Sequence, residues 1–228
     1  MRINAYIANA TGLSRRQAEG LIKSGAVSVN GVQAELWYQV STDDLVELNH
    51  HKVFIKAPAI IMLNKPAGYV VSRNPQGANS IYDLLPKDLH NLKPVGRLDK
   101  ESTGLLLLTN DGKLAQELTH PSFDKVKVYR IILDRPLKKE DEQTIAKGIR
   151  VENYLSKLEI TDCSSDRRLL SVNLTQGKNR QIRKTFAKLG YQVLELHRLK
   201  FASFSIGNLK PGEFRHLSDG NIKKPVFK

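Results

Sequence analysis

A short polar segment between two glycines carries the densest group of residues that could do chemistry. It reads Gly96-Arg97-Leu98-Asp99-Lys100-Glu101-Ser102-Thr103-Gly104. Asp99 has cations nearby on both sides, and a cation in contact with a carboxylate lowers its pKa by roughly 1–3 units. A carboxylate kept ionised in this way is suited to nucleophilic attack or to removing a proton. Spacing alone favours a simpler interpretation, in which Asp99 caps the backbone amides of a surface turn.

A basic cluster in the last third of the chain is the second candidate. Between residues 176 and 200 a single carboxylate, Glu195, stands against seven cations: Lys178, Arg180, Arg183, Lys184, Lys188, Arg198 and Lys200. The chain of 228 residues holds 36 lysines and arginines against 23 acidic residues, a formal net charge of +13. Such an excess indicates a polyanionic partner, nucleic acid before an anionic membrane. No segment shows the basic face opposite a bulky apolar face that a membrane-surface helix needs.

The motifs of several common enzyme classes are missing from the sequence. It contains no G-x-x-x-x-G-K-[ST] or G-x-G-x-x-G phosphate-binding loop, no H-E-x-x-H zinc motif and no G-x-S-x-G nucleophile motif. Cys163 is the lone cysteine, and the histidines are scattered apart from His50-His51, so we expect neither a cofactor nor a metal. Apolar runs such as residues 105–108 fall far below the roughly 18 residues that span a bilayer. Residues 1–20 lack a signal-peptide pattern, and we therefore expect a soluble, cytoplasmic protein.

The N-terminal residues are predicted to form a small α+β module. Ser14 and Gln17 have the spacing of a capping box, which predicts that a helix begins there. Residues 27–32 are typical of a strand that enters an Asn-Gly hairpin turn, and a second strand is expected from Leu45 to Leu48.

A linker separates this module from a larger domain. The segment from His50 to Pro58 is basic, weakly periodic and ends in proline. We therefore assign residues 1–58 to the module with its linker and residues 59–228 to a second domain. In the second domain, apolar patterning predicts strands near 60–64, 69–73, 105–109, 126–133, 157–163, 168–175 and 191–196. Helices are expected near 80–85, 113–119, 138–147 and 179–189. The predicted class is α+β, with a mixed, mainly antiparallel sheet flanked by helices.

Five segments of the larger domain, taken in order, resemble the motifs of pseudouridine synthases that modify ribosomal RNA. They are Asn64-Lys65-Pro66-Ala67-Gly68, the Asp99 segment, Lys127-Val128-Tyr129, Gln176-Gly177-Lys178-Asn179-Arg180-Gln181-Ile182-Arg183-Lys184 and Leu209-Lys210-Pro211-Gly212-Glu213-Phe214-Arg215. Residues 1–48 resemble a small RNA-binding module shared with a ribosomal protein and some tRNA synthetases, through Ser14-Arg15-Arg16-Gln17-Ala18 and Val27-Ser28-Val29-Asn30-Gly31. The resemblance covers nearly the whole chain.

The resemblance implies a role for each matching residue. Asp99 matches the essential aspartate, which acts on the uridine either by forming a covalent adduct or by removing a ribose proton to give a glycal. Tyr129 matches the aromatic residue that stacks on the target base, and Arg183 the arginine that pairs with the aspartate. Arg97 is expected to contact RNA or to fill the space of the flipped nucleotide, and Lys65 to shape the pocket.

Simpler interpretations of these residues stay open at this stage. Tyr129 alone could be a core aromatic of a strand, Arg183 an exposed helix cation and Lys65 part of an ordinary turn. Further RNA contacts are expected from the two basic regions, through Arg15, Arg16, Lys23, Lys178, Arg180 and Lys184.

The resemblance favours one activity and leaves two alternatives. It implies isomerisation of a ribosomal RNA uridine to pseudouridine by a monomer without a cofactor, and the wording of the third motif leans toward large-subunit RNA. The alternatives are a synthase for small-subunit RNA and a non-catalytic RNA-binding factor of ribosome assembly. A synthase for tRNA is disfavoured by the N-terminal module and by the wording Asn179-Arg180-Gln181.

Overall fold

The structure, a computed structural model, describes residues 1–120 and 125–217. In this part of the chain, no helix combines the length and the apolar character that crossing a bilayer requires. Its strands form two main sheets, and its buried apolar residues form one cluster for the N-terminal sheet and two for the larger one.

Two helices and a small antiparallel sheet form the N-terminal part. Its elements are α1 (Ile3–Thr11), α2 (Arg15–Lys23), β1 (Val27–Val29), β2 (Val32–Gln33), β3 (Val46–Leu48) and β4 (His51–Lys52), with strand order β2-β1-β3-β4. Ser14 and Gln17 form the predicted capping box at the start of α2. Ala18 and Ile22 of α2 are buried with Val27 and Val29 of β1, so the helix packs its apolar stripe on the sheet.

The larger part is built on a mixed sheet with the order β11-β12-β8-β13-β7-β5-β15, to which β14 and β6 are added on β13 and β7. Its strands are β5 (Ile60–Lys65), β6 (Lys93–Pro94), β7 (Thr103–Thr109), β8 (Lys127–Leu133), β11 (Glu159–Cys163), β12 (Leu169–Leu174), β13 (Val193–Phe201), β14 (Phe204–Ser205) and β15 (Phe214–His216). The strands β9 (Ile149–Val151) and β10 (Tyr154–Ser156) form a separate hairpin. The helices are α3 (Gly112–Thr119), α4 (Lys139–Lys147) and α5 (Gln181–Lys188), with 3₁₀ turns at Ile81–Leu84 and Lys87–Leu89.

Helices and loops cover both faces of this sheet near its centre. In β5, Ile61 and Leu63 belong to the cluster that includes α5, whereas Ile60 and Met62 belong to the cluster on the opposite face. Successive side chains of a strand point to opposite faces, so β5 is buried on both sides. The pairing of β13 with β7 is parallel, and the other pairs described within the large sheet are antiparallel.

The α+β class with a mainly antiparallel sheet is confirmed, but three sequence predictions differ from the structure. Residues 69–73 do not form a strand, since Val70 makes only an isolated bridge to Ser80. The expected helix at 80–85 is a 3₁₀ turn. Residues 51–52, which the sequence assigned to the linker, form β4 and pair with β3, because a two-residue strand at a sheet edge leaves almost no periodic pattern.

Candidate active site

A cavity of about 500 Å³ lies where β8 and β13 meet the segment before β7 and the start of α5. Five of the candidates from the sequence line it: Arg97, Asp99, Tyr129, Lys178 and Arg180. The fold therefore brings together a carboxylate, an aromatic ring and several cations that are up to 83 positions apart in the chain. A concave site with a few convergent polar groups is the usual form of a ligand-binding or catalytic pocket.

Asp99 is partly exposed in this cavity and is paired with Arg180. The Arg180 Nη1 atom lies 3.6 Å from Asp99 Oδ2, and the two side chains are 49% and 34% exposed. An ion pair with this exposure contributes little to stability, so it can be exchanged for other partners. Arg180 directly precedes α5 and has a left-handed backbone conformation, with φ of 51°.

Arg183, the partner that the sequence predicted for Asp99, makes a different contact. Its Nη1 donates to the carbonyl oxygen of Val193 at 2.5 Å, while Nε and Nη2 are buried without a partner among the described residues. Burial and the nearby Arg180 lower the pKa of Arg183, and the charges of Asp99 and Glu101 oppose this shift. Arg183 therefore lies within electrostatic reach of Asp99 and has two unused donors.

Lys65 lies behind the Asp99 loop and does not line the cavity. Its ammonium group is fully buried and donates to the carbonyl oxygens of Pro66 (2.9 Å), Lys100 (3.0 Å) and Ser102 (2.7 Å). Burial lowers the pKa of Lys65 to about 8, against the opposing charges of Glu101 and Asp99. Lys65 therefore holds the backbone on the C-terminal side of Asp99.

The far end of the same loop is held by β13. Arg198 Nε donates to the carbonyl oxygen of Leu105 at 2.7 Å, and the hydroxyl of Thr103 lies 2.8 Å from Nδ1 of His197. Burial and Arg130 lower the pKa of His197, although Glu195 opposes them. Asp99 thus projects from a loop that is fixed from two sides, which is the arrangement that keeps a reactive group in place.

Tyr129 belongs to the core and to the cavity at once. It lies in β8 opposite Val172 of β12, is 6% exposed and packs in the main hydrophobic cluster. It also forms part of the cavity wall. Both interpretations of this residue therefore agree with its position.

The remaining candidates for RNA contacts fall into three places. Arg97, Lys178 and Arg180 are exposed at the cavity. Lys184 lies outside the cavity and pairs with Glu152 of the β9–β10 hairpin at 2.8 Å. Arg15, Arg16 and Lys23 are exposed on α2.

Arg198 and Gln181 are site residues that sequence analysis missed. In the sequence, Arg198 was counted only as a member of the basic cluster. In the structure it is 2% exposed and lines the cavity. The sequence signal for this was its position two residues after Leu196, which puts both on the same face of a strand. Gln181 is buried, donates to Ser156 Oγ at 3.0 Å and accepts from the backbone N–H of Lys178 at 3.2 Å. It therefore holds the segment that carries Arg180 against the β9–β10 hairpin.

Comparisons with known proteins place the chain among RNA-modifying enzymes. Residues 59–188 match the family described as RNA pseudouridylate synthase, and residues 1–46 match the S4 domain. The chain is 34% identical, over 98% of its length, to ribosomal large subunit pseudouridine synthase B of Bacillus subtilis (strain 168), of which 94% is covered. It is 36% identical, over 97% of its length, to ribosomal small subunit pseudouridine synthase A of Pasteurella multocida (strain Pm70), of which 98% is covered. A crystal structure of a pseudouridylate synthase aligns with a TM-score of 0.71 at 31% identity, covering 98% of this chain and 99% of the other.

Proposed function

Because the chain belongs to the RNA pseudouridylate synthase family, we propose that it converts a uridine of ribosomal RNA into pseudouridine at Asp99. The observation that carries the proposal is the position of this carboxylate, which lines the same cavity as Tyr129 and lies on a loop fixed from two sides. Ribosomal RNA is proposed as the substrate because similar proteins are named as synthases of the large and the small ribosomal subunit.

The reaction is an isomerisation. The bond from N1 of uracil to C1′ of the ribose breaks, the base turns, and C5 bonds to C1′; C5 loses a proton and N1 gains one. Asp99 assists either by adding to the nucleotide or by taking a ribose proton, two roles that both require an ionised carboxylate. The target base must leave its stack to reach Asp99, at a cost of a few kcal/mol that stacking on Tyr129 and phosphate contacts offset.

We propose that the two arginines near Asp99 act in succession. In the free protein Arg180 holds the carboxylate loosely at 3.6 Å. When RNA enters, Arg180 turns to a phosphate and Arg183 supplies its unused Nε or Nη2 to Asp99. A buried guanidinium–carboxylate pair keeps the carboxylate ionised and oriented.

RNA is held on both parts of the chain in this proposal. The exposed Arg15, Arg16 and Lys23 of α2 form one RNA-binding surface. Arg97, Lys178 and Arg180 at the cavity form the second, together with Lys184, which lies outside the cavity. We place the boundary between the two parts at residue 58, in the segment between β4 and β5. We further propose large-subunit RNA as the target, on the wording of the Gln176–Lys184 motif.

We expect Asp99→Asn to abolish turnover, because an amide can neither add to the nucleotide nor take its proton, and to leave RNA binding in place. The test measures tritium release from ribosomal RNA labelled at uridine C5, on naked and assembled large- and small-subunit substrates. Release by the wild type alone supports the proposal and shows which subunit is the target. Activity that persists in Asp99→Asn would contradict the role of Asp99, and salt-sensitive binding without release on any substrate would favour a non-catalytic assembly factor.

A further inference from the structure

Two cations of the cavity, Lys127 and Arg198, have no part in the reaction as proposed so far. Lys127 begins β8 and pairs in register with Phe201 of β13. Both cationic groups lie over the Phe201 ring, the Lys127 Nζ at 5.5 Å and the Arg198 Cζ at 5.2 Å from its centroid. The sheet therefore holds two positive charges close together in the cavity wall.

Neither cation is neutralised by a carboxylate within residues 1–120 and 125–217. Among the described residues, the hydrogen-bond acceptors of Lys127 Nζ are backbone carbonyls, those of Lys125 (3.2 Å), Thr175 (3.2 Å) and Gln176 (3.3 Å). Arg198 is almost fully buried and donates through Nε to Leu105, while its Nη2 is buried and has no hydrogen-bond partner in the described part of the chain. Burying charge without a counter-charge is unfavourable, and burial together with Arg198 lowers the pKa of Lys127.

The rest of the cavity wall points to an anion as the missing partner. Among the residues of this wall that the structure describes, Asp99 is the one carboxylate and it pairs with Arg180, whereas four further cations form no ion pair with other described residues: Arg97, Lys127, Lys178 and Arg198. A neutral uracil carbonyl would leave the excess charge uncompensated, whereas a phosphate carries a full negative charge and several acceptor oxygens.

We propose that Lys127 and Arg198 form a subsite for one backbone phosphate of the RNA strand whose uridine enters the cavity. Lys127 is the direct contact, because its three long bonds to carbonyls can be exchanged for one to a phosphate oxygen. Arg198 lies behind it as a second charge while its Nε keeps the bond to Leu105. The inference deepens the proposed function and rests on it for the identity of the strand.

The test uses a defined probe, a fluorescein-labelled oligomer of five uridines, and measures its affinity by fluorescence anisotropy at low salt. Each internal phosphate is replaced in turn by an uncharged methylphosphonate. We expect one position to weaken binding to the wild type about tenfold and the others much less, because a charge-assisted contact is specific to one linkage. Equal losses of affinity at all positions would overturn the proposed subsite. This experiment uses the wild-type protein alone.

Variants then assign the effect to Lys127. Lys127→Met is expected to bind the native oligomer about tenfold more weakly than the wild type, and to lose less than a further twofold at the sensitive linkage. Lys188→Met removes an exposed cation of α5 outside the cavity and should keep the pattern of the wild type. A folded Lys127→Met protein, as judged by its thermal unfolding, that retains the full loss at that linkage would overturn the proposal.

The outcome is separable from that of the proposed function. The same proteins are assayed for tritium release from ribosomal RNA. A wild type that shows the linkage-specific loss but releases no tritium would count against the synthase activity and support the subsite. Release of tritium without any linkage-specific loss of affinity would support the synthase activity and count against the phosphate subsite.

Discussion

At the scale of single residues, Lys65 is a cation used as a structural anchor. Its ammonium group is bonded to three backbone carbonyls, and two of them belong to the loop that carries Asp99. Burial opposes the charged form and lowers the pKa to about 8 from the ordinary 10.5. The anchor is therefore held in place at a cost in stability that depends on pH.

We predict that the wild type gains stability relative to Lys65→Met as the pH rises from 7.5 to 10. Between pH 8 and 10.5 the unfolded chain still binds the proton on Lys65 while the folded chain has lost it, so the contribution of this residue to the free energy of unfolding increases with pH. Urea unfolding of both proteins at the two pH values measures the difference. A difference that does not change with pH, or that changes in the opposite direction, would contradict the shifted pKa.

The choice between Arg180 and Arg183 shows where residue-scale prediction ends. The sequence places both near the start of a helix, three positions apart, and the motif resemblance selected Arg183 as the partner of Asp99. In the structure the ion pair is made by Arg180, whose backbone is in the left-handed conformation. Apart from glycine, few residues adopt this conformation, and nothing in the sequence signals it here.

At the scale of elements, the parallel contact between β7 and β13 fixes the end of the Asp99 loop. Thr103 and Gly104 pair there with His197 and Arg198. Gly104 has φ of 103°, and a Cβ atom on it would lie 2.4 Å from the carbonyl oxygen of Arg198. Only glycine allows the two backbones to approach this closely.

We predict that Gly104→Ala lowers the free energy of unfolding by about 2–4 kcal/mol, since it combines a disfavoured backbone angle with a collision against backbone atoms. Turnover should also fall, because relief of the collision moves the loop that carries Asp99. Urea unfolding and tritium release are the measurements. Gly112→Ala, at the start of α3, is the matched control: apart from its chain neighbours and its own helix backbone, no described atom lies within 4 Å of the added methyl. A change below about 1 kcal/mol is expected. A Gly104→Ala protein with the same free energy of unfolding as the wild type would contradict this prediction, because it would show that the sheet can adjust to the added methyl group.

Elements with a strong local signal were predictable, and those that depend on distant partners were not. The capping box located α2, and the alternation of Leu170, Val172 and Leu174 located β12, whose three residues are buried on one face. Residues 69–73 have strand-like composition, yet they find no strand partner beyond the bridge at Val70. Pairing is a property of two segments, so composition in one of them cannot decide it.

At the scale of the whole molecule, the N-terminal part meets the larger part close to α2. Gly12, just before α2, packs near Asn91, since a Cβ atom on it would lie 3.3 Å from the Asn91 Cα. Burial, Arg73 and Arg15 together lower the pKa of Lys93, so Arg15 lies close to a cation of the larger part. Arg15 therefore continues the basic surface of α2 across the junction to Lys93 and Arg73.

This basic surface predicts the effect of removing the two arginines at the start of α2. Arg15→Gln combined with Arg16→Gln should weaken the binding of ribosomal RNA. It should also reduce the magnitude of the slope of log K, the binding constant, against log [salt] by about two, because each lost phosphate contact lowers that slope by roughly one. The rate of tritium release at saturating RNA should stay unchanged, since neither arginine lies in the cavity. Filter binding across a salt series and a saturation assay give the two quantities.

Lys139→Gln with Lys147→Gln removes the same charge from the exposed surface of α4 and is the control for net charge. An equal loss of slope in both double variants would mean that RNA responds to the total charge of the protein and that α2 makes no particular phosphate contact.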